Sequence, residues 1–190
     1  MGTMMNTINQ LIGFFAALDL QVQAWAGSIH TPLGIKCLNL VTYTGSSVAF
    51  LTLTLFISFY LLSKQKHYEA IFLNVSLFSA WWIMSLLKNV FERSRPAGEA
   101  LTIAAGFSLP SGHAMLSMAF YGFLACLLLR QKNSSRARWG AILLFIWVFL
   151  IGFSRIYLNV HYLSDVLAGF IFGLILMILS LAGMDRVKRW

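Results

Sequence analysis

Polar and apolar positions along this chain alternate on the scale of a bilayer. About 20 apolar residues rising 1.5 Å each span a hydrocarbon core ~30 Å thick. Five segments approach or meet that length, at residues 41–62, 70–90, 111–129, 139–154 and 162–183, the fourth being the shortest. Residues 7–29 follow another rule. Ile8, Leu11, Ile12, Phe15, Leu18, Val22, Trp25 and Ile29 recur at helical spacing, while Asn9, Asp19, Gln21 and Gln23 interrupt them. The stripe predicts an amphipathic helix lying in the membrane interface. A sixth crossing is the alternative, and it would place Asp19 in lipid and reverse the side of the N-terminus. The expected fold is all-α: a polytopic membrane helix bundle of five transmembrane helices plus an N-terminal interfacial amphipathic helix, forming one domain over residues 1–190.

Composition agrees, since 59% of residues are hydrophobic and 11% charged, against ~25% charged in an average soluble domain. The net charge of +8 raises the question of nucleic acid, and the positions of the cations answer it. Nine of the fourteen fall in three clusters (Lys64 and Lys66; Arg130, Lys132, Arg136 and Arg138; Arg186, Lys188 and Arg189), each abutting an apolar run. No aromatic that could stack on a base lies between cations of a cluster, so no nucleic-acid partner is expected. The pattern is that of cytoplasmic loops. With the clusters inside, the helix directions alternate, and every polar motif falls on the non-cytoplasmic side of the cytoplasmic membrane.

Smaller features change little. Cys37 and Cys126 do not make a disulfide framework, and no metal-type Cys/His spacing occurs. The first 35 residues hold no Lys or Arg, so they lack the charged start of a cleavable signal peptide. Asn133-Ser134-Ser135 matches a glycosylation sequon on the cytoplasmic side, where it has no use. Trp81, Trp82 and Trp147 read as packing or interface residues. Gly169 and Gly173 read as a seam between two helices of one bundle, leaving a homodimer open without indicating one.

Three stretches carry chemistry: Lys88 with Arg95-Pro96; Pro110-Ser111-Gly112-His113; and Ser154-Arg155 followed by His161 and Asp165. A charge at a membrane helix centre costs roughly 2.5–3.5 kcal/mol, so such groups mark a functional site. His161 and Asp165, four apart, lie on one face of a helix. A carboxylate on one ring nitrogen leaves the other as a directed lone pair, which makes an oriented nucleophile or base. Lys88, Arg95 and Arg155 converge with only Glu92 and Glu99 as other acids nearby, which calls for an exogenous anion, and the arginine fork suits phosphate. Ser111 is placed to start a helix, whose free amides, with Gly112 leaving room, form an anion cradle. His113 on that turn faces the same anion and could donate a proton.

The three motifs in this order and spacing resemble the signature of the type 2 phosphatidic acid phosphatase superfamily at every motif position. The resemblance covers a catalytic core over residues 34–183. It implies that His161 attacks phosphorus to give a phosphohistidine, that Asp165 holds its imidazole, and that His113 protonates the leaving oxygen and then activates water. It further implies that Lys88, Arg95 and Arg155 hold the phosphoryl oxygens with Ser111 and the Gly112 amide, and that Ser154 has a supporting role. No metal or other cofactor is implied. The expected partners are membrane lipids and a lipid phosphate or pyrophosphate substrate: undecaprenyl pyrophosphate, phosphatidylglycerophosphate, phosphatidic acid or diacylglycerol pyrophosphate. Many members have six membrane helices, so a first segment that does not cross would be a departure. Rival readings are a lipid phosphotransferase, a vanadium haloperoxidase, which this hydropathy opposes, and a non-catalytic phospholipid-binding protein, which would need the cations but not an oriented histidine.

Overall fold

The structure, a computed structural model, describes residues 2–131 and 134–189. Lys132 of the second basic cluster and Asn133 of the sequon fall outside them, as do the side chains of Ile8, Asn9, Leu11 and Ile12. Among the described residues seven helices follow one another: α1 (Gly2–Ser28), α2 (Pro32–Tyr43), α3 (Ser47–Ser63), α4 (His67–Phe91), α5 (Gly112–Leu129), α6 (Ser135–Tyr157) and α7 (Leu163–Val187). No strand occurs among the described residues.

Helices α4, α5, α6 and α7 are each long and apolar enough to cross a membrane. In place of the first expected crossing, 41–62, stands a bent helix pair. It starts earlier, at Pro32, and bends by 48° between α2 and α3. The causes are local. Thr31 caps α2 by accepting from the Gly34 amide at 3.0 Å, with Pro32 at the first helical position. Ser46 then caps α3 by accepting from the Ala49 amide at 3.2 Å, so Thr44-Gly45-Ser46 forms the joint. Tyr121 donates to the Thr44 carbonyl at 3.0 Å, and the Trp147 indole donates to the Thr44 hydroxyl at 3.0 Å. These bonds fix the joint against α5 and α6.

Helix α5 is the central element, with Ala114, Met115, Ala119, Phe120 and Phe123 fully buried among α4, α6 and α7. Its middle widens into one π-helical turn over Met118–Gly122. The buried Ser76 hydroxyl of α4 donates to the Ala119 carbonyl there at 2.8 Å, satisfying an acceptor in the widened turn. Gly169 and Gly173 of α7 face α5: a Cβ on Gly169 would lie 2.6 Å from the Ser111 carbonyl. The glycine pair is thus a seam inside one bundle, as expected.

Helix α1 is not among the helices that meet the length and hydropathy of a crossing. Its docking face differs from the expected stripe, because Phe15 and Trp25 are exposed while Asp19 and Ala26 are buried. Ala26 and Val22 pack on Ile156 of α6 and Val166 of α7. The helix therefore lies against the end of the bundle that carries the polar motifs. At the opposite end Arg130 pairs with Asp185 at 2.5 Å and Lys188 with Glu69 at 2.7 Å, among the basic clusters.

Candidate active site

Four helix ends and one loop build the site. The last turn of α4 supplies Lys88, and the left-handed Glu92, at φ 45°, ends that helix. The non-helical segment 93–110 supplies Arg93, Arg95 and Ser108, the first turn of α5 supplies Gly112 and His113, and the last turn of α6 supplies Arg155. His161 precedes Tyr162, the capping residue of α7, and Asp165 lies in the first turn. The two were expected on one helical face. Only Asp165 is in the helix, and the cap turn brings His161 back over it.

Every predicted residue arrives at one place. Arg155, His161, Arg95 and Lys88 all lie close enough to His113 to act on its charge. His161 is 3% exposed and Asp165 fully buried. The His161 Nδ1 lies 3.6 Å from Asp165 Oδ2, too far for a direct hydrogen bond. The Ser108 hydroxyl joins them, donating to Asp165 Oδ2 at 2.5 Å and lying 3.3 Å from His161 Nδ1. The other ring nitrogen, Nε2, faces Arg95 Nη1 at 3.3 Å. Burial, with the charges of Arg155 and Arg95 against the opposing pull of Asp165, lowers the His161 pKa to about 4. The imidazole is therefore neutral near pH 7, with its lone pair on the side of the cations.

Arg155 is 2% exposed and donates from Nη1 to the Thr42 hydroxyl at 2.6 Å, while its Nε has no partner. The Ser111 hydroxyl, also buried, has none either. Ser111 occupies the cap position of α5 without capping through its side chain. A buried guanidinium with one neutral partner, next to a free hydroxyl and a helix N-terminus, is a setting that an oxyanion would complete. Arg95 is more engaged than expected: it donates to the carbonyls of Gly106 at 2.9 Å, Val160 at 2.7 Å and Ala105 at 2.7 Å. Lys88 Nζ donates to the Phe107 carbonyl. The two cations thus pin residues 105–107 beside the site.

Three expectations need correction. Gly112 does not leave room for an anion, since a Cβ there would meet the Met84 thioether of α4, so its smallness serves packing. Ser154, expected in a supporting role, is buried and donates to the Ile151 carbonyl one turn back, at 2.6 Å. The cations are not three but four, and the nearby acid is Asp19 rather than Glu92 or Glu99. Arg93 donates to Asp19 Oδ2 at 2.7 Å and to Asp165 Oδ1 at 2.6 Å. Burial works against the Arg93 charge, but both carboxylates outweigh it and raise its pKa. Sequence reasoning missed Arg93, Ser108, Thr42 and Asp19. For Asp19 a signal existed, a single acid in a long uncharged stretch, which wants a partner.

The model of the PAP2 superfamily matches residues 69–189. Phosphatidylglycerophosphatase B of Bacillus subtilis is 30% identical over 174 residues, covering 90% of this chain and 86% of the relative. Lipid A 4'-phosphatase of Bacteroides thetaiotaomicron is 29% identical over 182 residues, covering 86% of this chain and 75% of the relative. A crystal structure of a transmembrane PAP2-type phosphatidylglycerolphosphate phosphatase from Bacillus subtilis superposes with a TM-score of 0.84 at 27% identity, over 95% of this chain and 97% of the other. With its three motifs gathered at one end of a helical membrane bundle, this chain belongs to the PAP2 superfamily.

Proposed function

We propose that this membrane lipid phosphatase hydrolyses phosphatidylglycerophosphate, the substrate class named in a relative that matches 90% of the chain, by way of a phosphohistidine at His161. The observation that carries the reading is the setting of His161. It is buried and neutral, with Nδ1 toward Ser108 and Asp165 and Nε2 toward Arg95, beside a buried Arg155 with an unpartnered Nε. His161 Nε2 attacks phosphorus, and Asp165 stabilises the cationic ring that results. His113, protonated once the bound phosphate offsets the cations around it, gives its proton to the departing glycerol oxygen, then takes one from the water that attacks the phosphohistidine. Arg155, Arg95 and Lys88 stabilise the charge on the transferring group, with Ser111 and the first-turn amides of α5. Phosphoryl transfer requires mainly such positioning and charge stabilisation.

The site lies at the outer face of the cytoplasmic membrane, a placement supported by the basic clusters at the opposite end of the bundle. A lipid headgroup reaches it there by lateral diffusion. The test is phosphate release in detergent from phosphatidylglycerophosphate, phosphatidic acid, diacylglycerol pyrophosphate and undecaprenyl pyrophosphate, with chelator present. Release fastest from phosphatidylglycerophosphate, and lost in His161→Ala and His113→Ala, is expected. Full activity in His161→Ala would end the phosphohistidine route, and faster release from another lipid would reassign the substrate. Phosphoryl transfer to an added alcohol in place of release would make the chain a phosphotransferase.

A further inference from the structure

The family model begins at residue 69, yet one acid before that point reaches the reaction centre. Asp19 is the only acidic residue ahead of Glu69, and it is 3% exposed. Its Oδ2 accepts from Arg93 Nη2 at 2.7 Å and from the Ser164 hydroxyl at 2.5 Å, and its Oδ1 accepts from the Ser164 amide at 2.8 Å. A residue of α1 thus caps the start of α7 from outside, where a carboxylate favours the helix dipole. On the other side of the guanidinium, Arg93 Nη1 donates to Asp165 Oδ1 and to the Ser164 hydroxyl, both at 2.6 Å. The Tyr162 ring lies 4.3 Å from the guanidinium carbon. One cation bridges two buried carboxylates that would otherwise repel.

The consequence for Asp165 is geometric. Arg93 occupies Oδ1, so Oδ2 is left to the Ser108 hydroxyl and the Tyr162 amide, on the side of His161 Nδ1. We infer that Arg93, clasped by Asp19, is a positioning residue for phosphoryl transfer: it holds the Asp165 carboxylate in the rotamer that presents Oδ2 to His161, and α1 is a working part of the catalytic unit. This rests on the roles proposed above for His161 and Asp165. Among the described residues the side-chain hydrogen-bond partners of Arg93 are Asp19, Ser164 and Asp165, not His161.

A role through Asp165 has an electrostatic trace. His161 feels Asp165 from α7, Arg95 from the loop and Arg155 from α6, and His113 of α5 faces it. Without the Arg93 charge, Asp165 acts on His161 less compensated and stabilises the imidazolium more. The attacking ring must be neutral, so the acid limb of phosphoenzyme formation moves to higher pH.

The experiment compares kcat, KM, the pH dependence of phosphoenzyme formation and thermal melting in detergent for Arg93→Met, Arg93→Lys, Asp19→Asn and the Asp19→Asn/Arg93→Met double variant. Arg93→Met should lower kcat about 10- to 100-fold, as expected for displaced catalytic geometry, with KM changed by less than about twofold and the acid limb raised. Arg93→Lys should recover part of kcat and return the limb. Asp19→Asn should lower kcat alone but add nothing in the Arg93→Met background. Folded variants with wild-type kcat would overturn the inference, as would losses that follow melting temperature with an additive double variant and an unmoved limb. Should Arg93→Met fail to fold, Arg93→Lys and Asp19→Asn read the same quantities. Active His161→Ala would bring down the site reading itself, whereas inactive His161→Ala beside a fully active Arg93→Met overturns only the role of Arg93.

Discussion

Arg155 and His161 are the residues whose surroundings constrain their chemistry most. Arg155 is 2% exposed, and Thr42, from α2, is the side chain that aims it. Thr42→Val removes a hydrogen bond to a charged group, worth about 1.5–3 kcal/mol, and lets the guanidinium rotate away from the proposed phosphoryl site. We expect kcat/KM to fall at least about 10-fold while the chain still folds, checked by steady-state kinetics and melting. For His161, a ring pKa near 4 means the neutral form, the one the proposed attack requires, persists well below the ordinary histidine range. Carbon-labelled histidine followed by NMR in detergent micelles should show a resonance, absent in His161→Asn, with its midpoint near 4. A midpoint near the free value of about 6.5 would show that neither burial nor the neighbouring cations act on the ring as described.

At the scale of elements, the proposed site depends on how close α7 comes to the start of α5. A Cβ on Gly169 would sit 2.6 Å from the Ser111 carbonyl and 3.0 Å from the Ala114 Cβ. Gly169→Ala must push apart the two helix ends that carry Ser111, His113 and Asp165. Overpacking of this kind costs typically 1–3 kcal/mol, so a lower melting temperature should accompany a drop in kcat. Gly27→Ala in α1 is the control: nothing lies within 4 Å of its Cβ, and replacing a helical glycine there should be neutral or stabilising by about 0.5–1 kcal/mol. The helices themselves were legible from apolar runs, with ends off by several residues. The break between α2 and α3 was not, because hydropathy is continuous across it. Cap chemistry at Thr31-Pro32 and Ser46 carries that information, and a hydropathy reading does not weigh caps.

For the whole molecule the decisive feature is polarity: motif residues gather at one end and the basic clusters lie at the other. Ile103, 95% exposed on the loop beside the site, offers a test in a Cys37→Ser/Cys126→Ser background. Ile103→Cys should react with an impermeant thiol reagent added outside intact cells, and reaction only after permeabilisation would invert the orientation. Gly98 on the same loop is a poorer place for a cysteine, since its φ of +97° disfavours any side chain. Apolar run lengths, charge asymmetry and motif spacing were enough, by themselves, to indicate a helical membrane bundle, an expected orientation and a set of candidate residues that the fold gathers at one end. These are properties of single segments and their solvent, written in contiguous sequence. What only the tertiary structure decided is how those residues are held: Arg93 by Asp19, 74 positions away; Arg155 by Thr42, 113 away; Asp165 by Ser108, 57 away. Such pairings follow from crossing angles and close approaches, which side-chain packing sets across the whole bundle and no local period records.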